Sequence, residues 1–147
     1  MKRTAFVGLM AVLTTLLMVT GCKKESKPIS EIIAKNWTAQ KVEEGTSTVY
    51  TKGGQTNVRP GYSQFQLNLA SPPSVTYKEF DGNTFTGQYE VTDSKLTLKS
   101  LTPQPTGTNG TIEFTINSAS ENELIITRTT ASQKTGNSVN KYTLTNP

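Results

Sequence analysis

The sequence has no histidine, and its 147 residues include a single cysteine, Cys22. Without imidazole, the chain cannot build a Ser-His-Asp triad, a Cys-His pair or a zinc site with histidine ligands. The 11 acidic residues are scattered along the chain, and no clustered pair suggests the two facing carboxylates of a glycoside hydrolase. We therefore predict that the protein is not an enzyme, binds no metal and uses no cofactor.

Excess positive charge is confined to the beginning of the chain. The formal net charge is +4, yet residues 29–147 contain ten basic and ten acidic side chains. No basic stripe with interleaved aromatic residues is visible, although nucleic-acid binding normally needs one. We therefore predict no nucleic-acid partner.

The first 22 residues predict export and lipid attachment. Lys2 and Arg3 precede an uncharged run from Ala5 to Val19, which is the pattern of a signal peptide and is too short for a membrane-spanning helix. The run ends in Val19-Thr20-Gly21-Cys22, which resembles the lipobox of bacterial lipoproteins. The resemblance implies cleavage between Gly21 and Cys22 and attachment of acyl chains such as palmitate to Cys22. An ordinary secretory signal is the alternative.

These features divide the chain into three predicted parts. Residues 1–21 form the signal peptide, residues 22–29 a lipidated tether, and residues 30–147 a single folded domain. Several acyl chains together make a stable membrane anchor. We expect the lipid bilayer to be a partner and the bacterial cell envelope to be the location, with the outer membrane as the expected membrane and its face left open.

The mature chain alternates apolar and polar residues with a period of two, which predicts half-buried strands. Phe65, Leu67 and Leu69 give one example. A short helix is expected over 30–35, with Ser30 as its N-cap. The nine predicted strands lie near 37–44, 46–52, 62–69, 74–80, 84–91, 95–101, 111–117, 123–131 and 138–145.

The short connections between these strands favour antiparallel hairpins. Eight or more such strands must close into a barrel or divide into a sandwich. We predict an all-β, antiparallel, up-and-down barrel of eight or nine strands, with a β-sandwich as the alternative. The longer connections Gly53–Gly61 and Thr102–Gly110 are expected to lie at the rim of an opening.

Several segments of the domain resemble the small lipocalin-like lipoproteins of Bacteroidetes-type bacteria. In lipocalins a tryptophan at the start of the first strand seals the closed end of the barrel and often packs against a basic residue of a late strand. The resemblance implies that Trp37 and Arg128 form this pair, although Lys35 stands where lipocalins have glycine. It rests on residues 34–38, 80–89, 96–98 and 123–128.

Two hypotheses for function follow. In the first, a membrane-anchored, noncatalytic lipocalin-like domain binds a small apolar or amphipathic ligand inside its barrel. In the second, the barrel is solid and the protein is a structural or interaction lipoprotein whose threonine-rich outer face or rim loops meet another envelope protein or a glycan. The residues expected to line a ligand cavity in the first hypothesis are Phe65, Tyr77, Phe85, Tyr89 and Phe114.

Overall fold

The computed structural model describes residues 26–147, which contain one short helix, nine strands and two 3₁₀ helices. The 3₁₀ helices are Pro60–Gln64 and Gln133–Thr135. The remaining elements, in chain order, are α1 Ile29–Ile32, β1 Asn36–Glu44, β2 Ser47–Thr51, β3 Gln66–Ser71, β4 Ser74–Lys78, β5 Thr84–Val91, β6 Lys95–Thr102, β7 Ile112–Ala119, β8 Glu123–Arg128 and β9 Asn140–Thr145.

The strands form a closed antiparallel barrel. From β3 to β9 each strand pairs with the next along the chain, and β9 then pairs with β1. The beginning of β1 pairs with β3 around Trp37 and Leu67, which completes the ring of eight strands. β2 pairs only with the end of β1 and is an additional ninth strand. This confirms the predicted up-and-down barrel, and the sandwich alternative is wrong because the sheet has no break between two layers.

The alternating sequence fills the interior of the barrel. Every second residue of a strand points inward. Apart from Arg128, the inward residues of β3, β6 and β8 are buried leucines and isoleucines such as Leu67, Leu98 and Ile126. Threonines and charged residues occupy the outer positions. The strand bounds agree with the predicted ones to within a few residues, except that the 3₁₀ helix Pro60–Gln64 replaces the predicted start of the third strand.

The N-terminal helix differs from the predicted one. It spans only Ile29–Ile32, and its N-cap is Pro28 rather than Ser30. Proline fixes the extended φ that a cap residue adopts, so the helix begins two residues earlier than the Ser30 signal suggested. The helix ends at once because Trp37 must enter the barrel only a few residues later.

The barrel has two different ends. The end that holds α1 and the tight connections 72–73, 92–94 and 120–122 is called here the Trp37 end. The other end carries the long connections 52–65, 79–83, 103–111 and 129–139 and is called the Arg128 end. Both loops that were expected at a rim, Gly53–Gly61 and Thr102–Gly110, belong to the Arg128 end. The signal peptide, the cleavage site and Cys22 lie outside the described residues.

Candidate functional site at the Arg128 end of the barrel

The interior of the barrel is packed with side chains. Trp37, Leu69, Leu96, Phe114 and Leu144 each have 0% exposure, so no water-sized body touches them. A buried cavity able to hold an apolar ligand would expose the side chains around it to such a body. The middle of the barrel is therefore a solid core.

All five residues expected to line a ligand cavity are buried. Phe65 and Tyr77 pack edge to face with ring centroids 5.7 Å apart, and Tyr77 stacks on Phe85 at 6.1 Å. The Tyr89 hydroxyl donates to the carbonyl of Leu69 at 3.0 Å. These contacts make Phe85, Tyr89 and Phe114 core residues, whereas Phe65 and Tyr77 also border the small cavity described below.

A cover of aromatic residues closes the Arg128 end. Tyr62, from the 3₁₀ helix Pro60–Gln64, lies 5.0 Å from Phe80 between ring centroids, and beneath it Phe65 stacks on Tyr142 at 4.9 Å. The backbones approach closely here, since a Cβ added to Gly61 would lie 2.3 Å from the carbonyl oxygen of Phe80. Glycine is thus required at position 61 for the 3₁₀ helix to pack this closely against Phe80.

A cavity of about 10 Å³ lies directly under this cover. Its volume is close to that needed for one water molecule. Its walls combine aromatic rings with buried polar groups, in contrast to the apolar core below. The lining residues are Tyr62, Phe65, Tyr77, Glu79, Phe80, Arg128, Ser132, Asn140 and Tyr142.

Arg128 is the most unusual residue of the cavity wall. It is the last residue of β8 and is only 5% exposed. Its Nε is buried without a hydrogen-bond partner, and no acidic group among residues 26–147 lies within ion-pair distance of the guanidinium. Burying a charge is costly unless it is paired and hydrogen-bonded, so the burial of this guanidinium is energetically unfavourable as it stands.

The buried carboxylate of the cavity wall is already paired. Glu79 is 5% exposed and forms an ion pair with Lys134 of the second 3₁₀ helix. Lys134 also donates to Asp81 at 2.8 Å and lies 5.5 Å from the centre of the Phe85 ring. Partial burial acts to raise the pKa of Asp81 and to lower that of Lys134. The hydrogen bonds between these groups outweigh it, so the pKa of Asp81 lies below its ordinary value and that of Lys134 lies above. The network fastens the connection 129–139 to the connection 79–83.

The hydroxyl and amide groups around the cavity are also engaged. Asn140 donates from Nδ2 to the Tyr142 hydroxyl at 3.3 Å, and its Oδ1 accepts bonds from Ser138 at 2.7 Å and Thr135 at 3.2 Å. Burial raises the pKa of Tyr77 and of Tyr142. Both phenols therefore stay neutral at physiological pH and keep a proton to donate.

A second ion pair lies on the outer side of the cover. Glu44, at the end of β1, accepts from the Tyr62 hydroxyl at 2.9 Å and pairs with Arg59 at 2.7 Å. The Arg59 guanidinium in turn lies 5.3 Å from the centre of the Phe80 ring. Burial is the main cause that raises the pKa of Tyr62, and the nearby Glu44 acts in the same direction.

The predicted pairing of Trp37 with Arg128 is wrong. The indole Nε1 of Trp37 donates to the carbonyl of Ile33 at 2.9 Å, and the cation near its ring is Lys35 at 6.0 Å. Lys35 contacts Glu121, just before the start of β8, whereas Arg128 is the last residue of that strand. Trp37 and Arg128 therefore lie near opposite ends of the barrel, separated by the length of β8, which is roughly 17–20 Å. The resemblance placed the arginine at the closed end, and this chain has it at the other.

The outer surface carries a separate, open groove of about 540 Å³ across β4, β5 and β6. It follows an irregularity in the pairing of β5 with β6 between Thr86 and Gln88. At this point Gly87 permits close approach, because a Cβ there would lie 2.6 Å from the carbonyl oxygen of Lys99. The groove carries no charged side chain, and its lining residues are Ser74, Val75, Thr76, Thr86, Gly87, Gln88, Ser100 and Thr102.

Two further observations concern the described residues as a whole. Between Ser26 and Pro147 no three His, Cys, Asp or Glu side chains come together in a way that could hold a metal ion. No helix in this part of the chain is long and apolar enough to span a membrane.

Comparison with known proteins gives two similar solved structures. One is a lipocalin-like protein from Bacteroides uniformis ATCC 8492, with a TM-score of 0.46 and 15% sequence identity, covering 77% of this chain and 96% of the other. The second is an uncharacterized protein from Bacteroides eggerthii DSM 20697, with a TM-score of 0.48 and 11% identity, covering 77% and 98%. No family model and no curated protein sequence matches the chain. The closed up-and-down barrel of eight strands is itself the lipocalin-type architecture.

Sequence reasoning missed most of the polar cluster at the Arg128 end. Asn140, Ser132 and Thr135 lie in segments that read as turn or strand ends, where polar residues are ordinary. One signal was available, since Arg128 occupies an inward position of β8, and Glu79, directly after β4, continues the inward alternation of Val75 and Tyr77. A charged residue at an inward position is rare enough to indicate a buried polar site.

Proposed function

We propose that the protein is a noncatalytic lipoprotein of the cell envelope, anchored through acylated Cys22, whose solid barrel presents its outer surface to another envelope protein. The observation that carries the proposal is the filled interior of the barrel. Small-molecule pockets usually measure about 300–1,000 Å³, whereas the cavity beneath the cover measures about 10 Å³. This difference in volume supports a barrel that holds no fatty acid or sterol.

The outer groove across β4, β5 and β6 supports a protein as the partner. Its hydroxyl, amide and backbone groups can exchange hydrogen bonds with a polypeptide, and its lack of charge fits the balanced charge of the folded domain. It contains no aromatic side chain, although proteins commonly recognise sugar rings by stacking on such residues. A protein surface therefore suits the groove better than a glycan.

The anchoring part of the proposal is tested by metabolic labelling with an alkyne analogue of palmitate in a bacterium that processes lipoproteins. The full chain should take up label and sediment with membranes. Cys22→Ala should lose both properties, and Ser26→Ala serves as the matched control that keeps them. An unlabelled, fully soluble wild-type protein would exclude the anchor.

The interaction part is tested by photocrosslinking in intact cells. A photoreactive phenylalanine at Gln88, in the groove, should capture one discrete protein. The same residue at Thr115, on the outer face of β7, should not. Equal labelling at both positions would contradict a specific partner at the groove.

The solid interior is tested separately by titrating the purified domain with fluorescent fatty acids. We expect no saturable, stoichiometric binding. Saturable binding that is lost when an interior side chain is replaced by a larger one would restore the small-ligand hypothesis.

A further inference from the structure

We propose that the cavity under the cover is a binding site for a monovalent anion of the size of chloride, held by Arg128. The guanidinium is buried in the cavity wall, and its Nε lacks a hydrogen-bond partner. This inference concerns the Arg128 end of the barrel. It stands or falls independently of the groove and of the lipid anchor.

Acceptors near Arg128 are already in use. The Glu79 carboxylate is paired with Lys134, and the Oδ1 of Asn140 accepts from both Ser138 and Thr135. The Tyr142 hydroxyl accepts from Asn140. Each of these acceptors already has a donor of its own, whereas the Nε of Arg128 has no acceptor among the described residues.

Donors also face the same space. The Nε of Arg128 is a donor without an acceptor, and burial keeps the phenols of Tyr77 and Tyr142 protonated, although they already share a hydrogen bond. Ser132 contributes a further hydroxyl to the wall. Several donors that converge beside one cation favour an anion over a neutral guest.

The size of the cavity limits the anion. About 10 Å³ accommodates one water-sized body. A halide ion is only slightly larger than a water molecule, whereas sulfate and phosphate are several times larger. The aromatic cover and the Phe65 stack leave no room for a carboxylate with a chain attached.

A bound anion would join three parts of the Arg128 end. It would contact β8 through Arg128, the connection 129–139 through Ser132, and β9 through Tyr142. Because the anion binds only when these elements are in place, it should stabilise the folded state by an amount that grows with the logarithm of its concentration above the dissociation constant.

The direct test is anomalous diffraction from crystals of the wild-type domain grown in sodium bromide. We expect an anomalous peak inside the cavity, within about 3.5 Å of a guanidinium nitrogen of Arg128, which is hydrogen-bond range for an ion larger than oxygen. An ordered water without anomalous signal, bridging Arg128 to Glu79, would overturn the proposal.

A second test measures thermal unfolding at constant ionic strength while chloride replaces isethionate. At a chloride concentration of about ten times the dissociation constant, the unfolding midpoint should rise by roughly 5 °C. Arg128→Gln and Arg128→Lys should lower or abolish this rise. Lys141→Gln, which removes one positive charge from the outer face of β9, should retain the full wild-type response.

The wild-type measurement keeps the test decisive even if both Arg128 variants fail to fold. Identical midpoints in chloride and isethionate would show that no chloride-sized anion binds to the folded domain. Equal loss of the response in Lys141→Gln would assign it to general charge screening instead of the cavity.

Discussion

The two ends of the barrel are closed by different physical means. At the Trp37 end, one fully buried indole fills the space and donates to the carbonyl of Ile33, the residue directly after α1. At the Arg128 end, long connections are fastened by ion pairs, buried tyrosines and an aromatic cover. Closure by an apolar side chain depends on the volume that it fills, whereas closure by polar groups depends on their ion-pair and hydrogen-bond partners. The same core is thus closed by a buried apolar side chain at one end and by a buried polar cluster at the other.

The largest expected effect is on the Trp37 end. Trp37→Ala removes a large side chain from a fully buried position and leaves a cavity, so we expect a loss of about 3–5 kcal/mol in the free energy of unfolding. Urea denaturation followed by circular dichroism measures it. Val58→Ala, at a position that is 76% exposed, should change the same quantity by less than about 0.5 kcal/mol. If Trp37→Ala lowered the free energy of unfolding as little as Val58→Ala, the volume of the indole would not be what closes this end.

A smaller effect is expected where the cover meets the barrel. The Cβ of Gly61→Ala would press on the backbone carbonyl of Phe80, and such overpacking typically costs about 1–3 kcal/mol. The clash is local, so hydrogen exchange should quicken at residues 59–65 and 79–83 while β7 and β8 stay protected. Uniform acceleration across the barrel would show that the cover is part of the same cooperative unit as the core.

The buried ion pair should contribute less again. Glu79→Gln leaves Lys134 with Asp81 alone, and we expect a loss of about 2 kcal/mol, in the range for hydrogen bonds to charged groups. Glu113→Gln removes the partner of the exposed Lys95 and should cost no more than about 1 kcal/mol. Equal losses from the two substitutions, measured by urea denaturation, would show that burial does not increase the contribution of the Glu79–Lys134 pair to stability.

The smallest effect concerns an exposed pair at the Trp37 end and depends on pH. Hydrogen bonds from Lys27 and Lys35 lower the pKa of Glu121 from 4.5 to about 2. Because this pKa is lower in the folded state, the stabilisation is complete above about pH 4.5 and is lost as the pH falls toward 2. The difference in stability between the wild type and Glu121→Gln should therefore shrink across this window.

Nuclear magnetic resonance titration of the Glu121 carboxyl checks the same point directly. Lys27→Gln should return part of the lowered pKa toward its ordinary value, and added salt should do the same because both partners are exposed. An ordinary pKa for Glu121 in the wild type at low salt would show that the pair does not form in solution.

The sequence predicts the barrel well because a period of two is a direct consequence of strand geometry. Leu67, Leu98 and Ile126 point inward as their spacing requires. The closure of β1 on β9 follows from the number of strands and from the lack of any long crossover connection. Local pattern and global topology agree here, so the fold could be read from one chain.

The polar cluster could not be predicted to the same extent. It brings Glu79, from the connection 79–83, together with Arg128, Lys134 and Asn140, which lie much later in the chain on β8, the connection 129–139 and β9. Which residues meet there depends on the register of each hairpin, and a slip of one residue reverses the face that a side chain occupies. The Trp37 and Arg128 pair failed for this reason, since the position of Arg128 along β8 decides which end of the barrel it reaches.

The pairing of β1 with β9 also dictates the order of events during synthesis. The first strand finds its final neighbour only among residues 140–145, so a nascent chain cannot close the ring until those residues have been made. Contacts this distant in sequence form slowly. The ring therefore stays open while the successive hairpins from β3 to β8 are being made, and the first strand waits for the ninth.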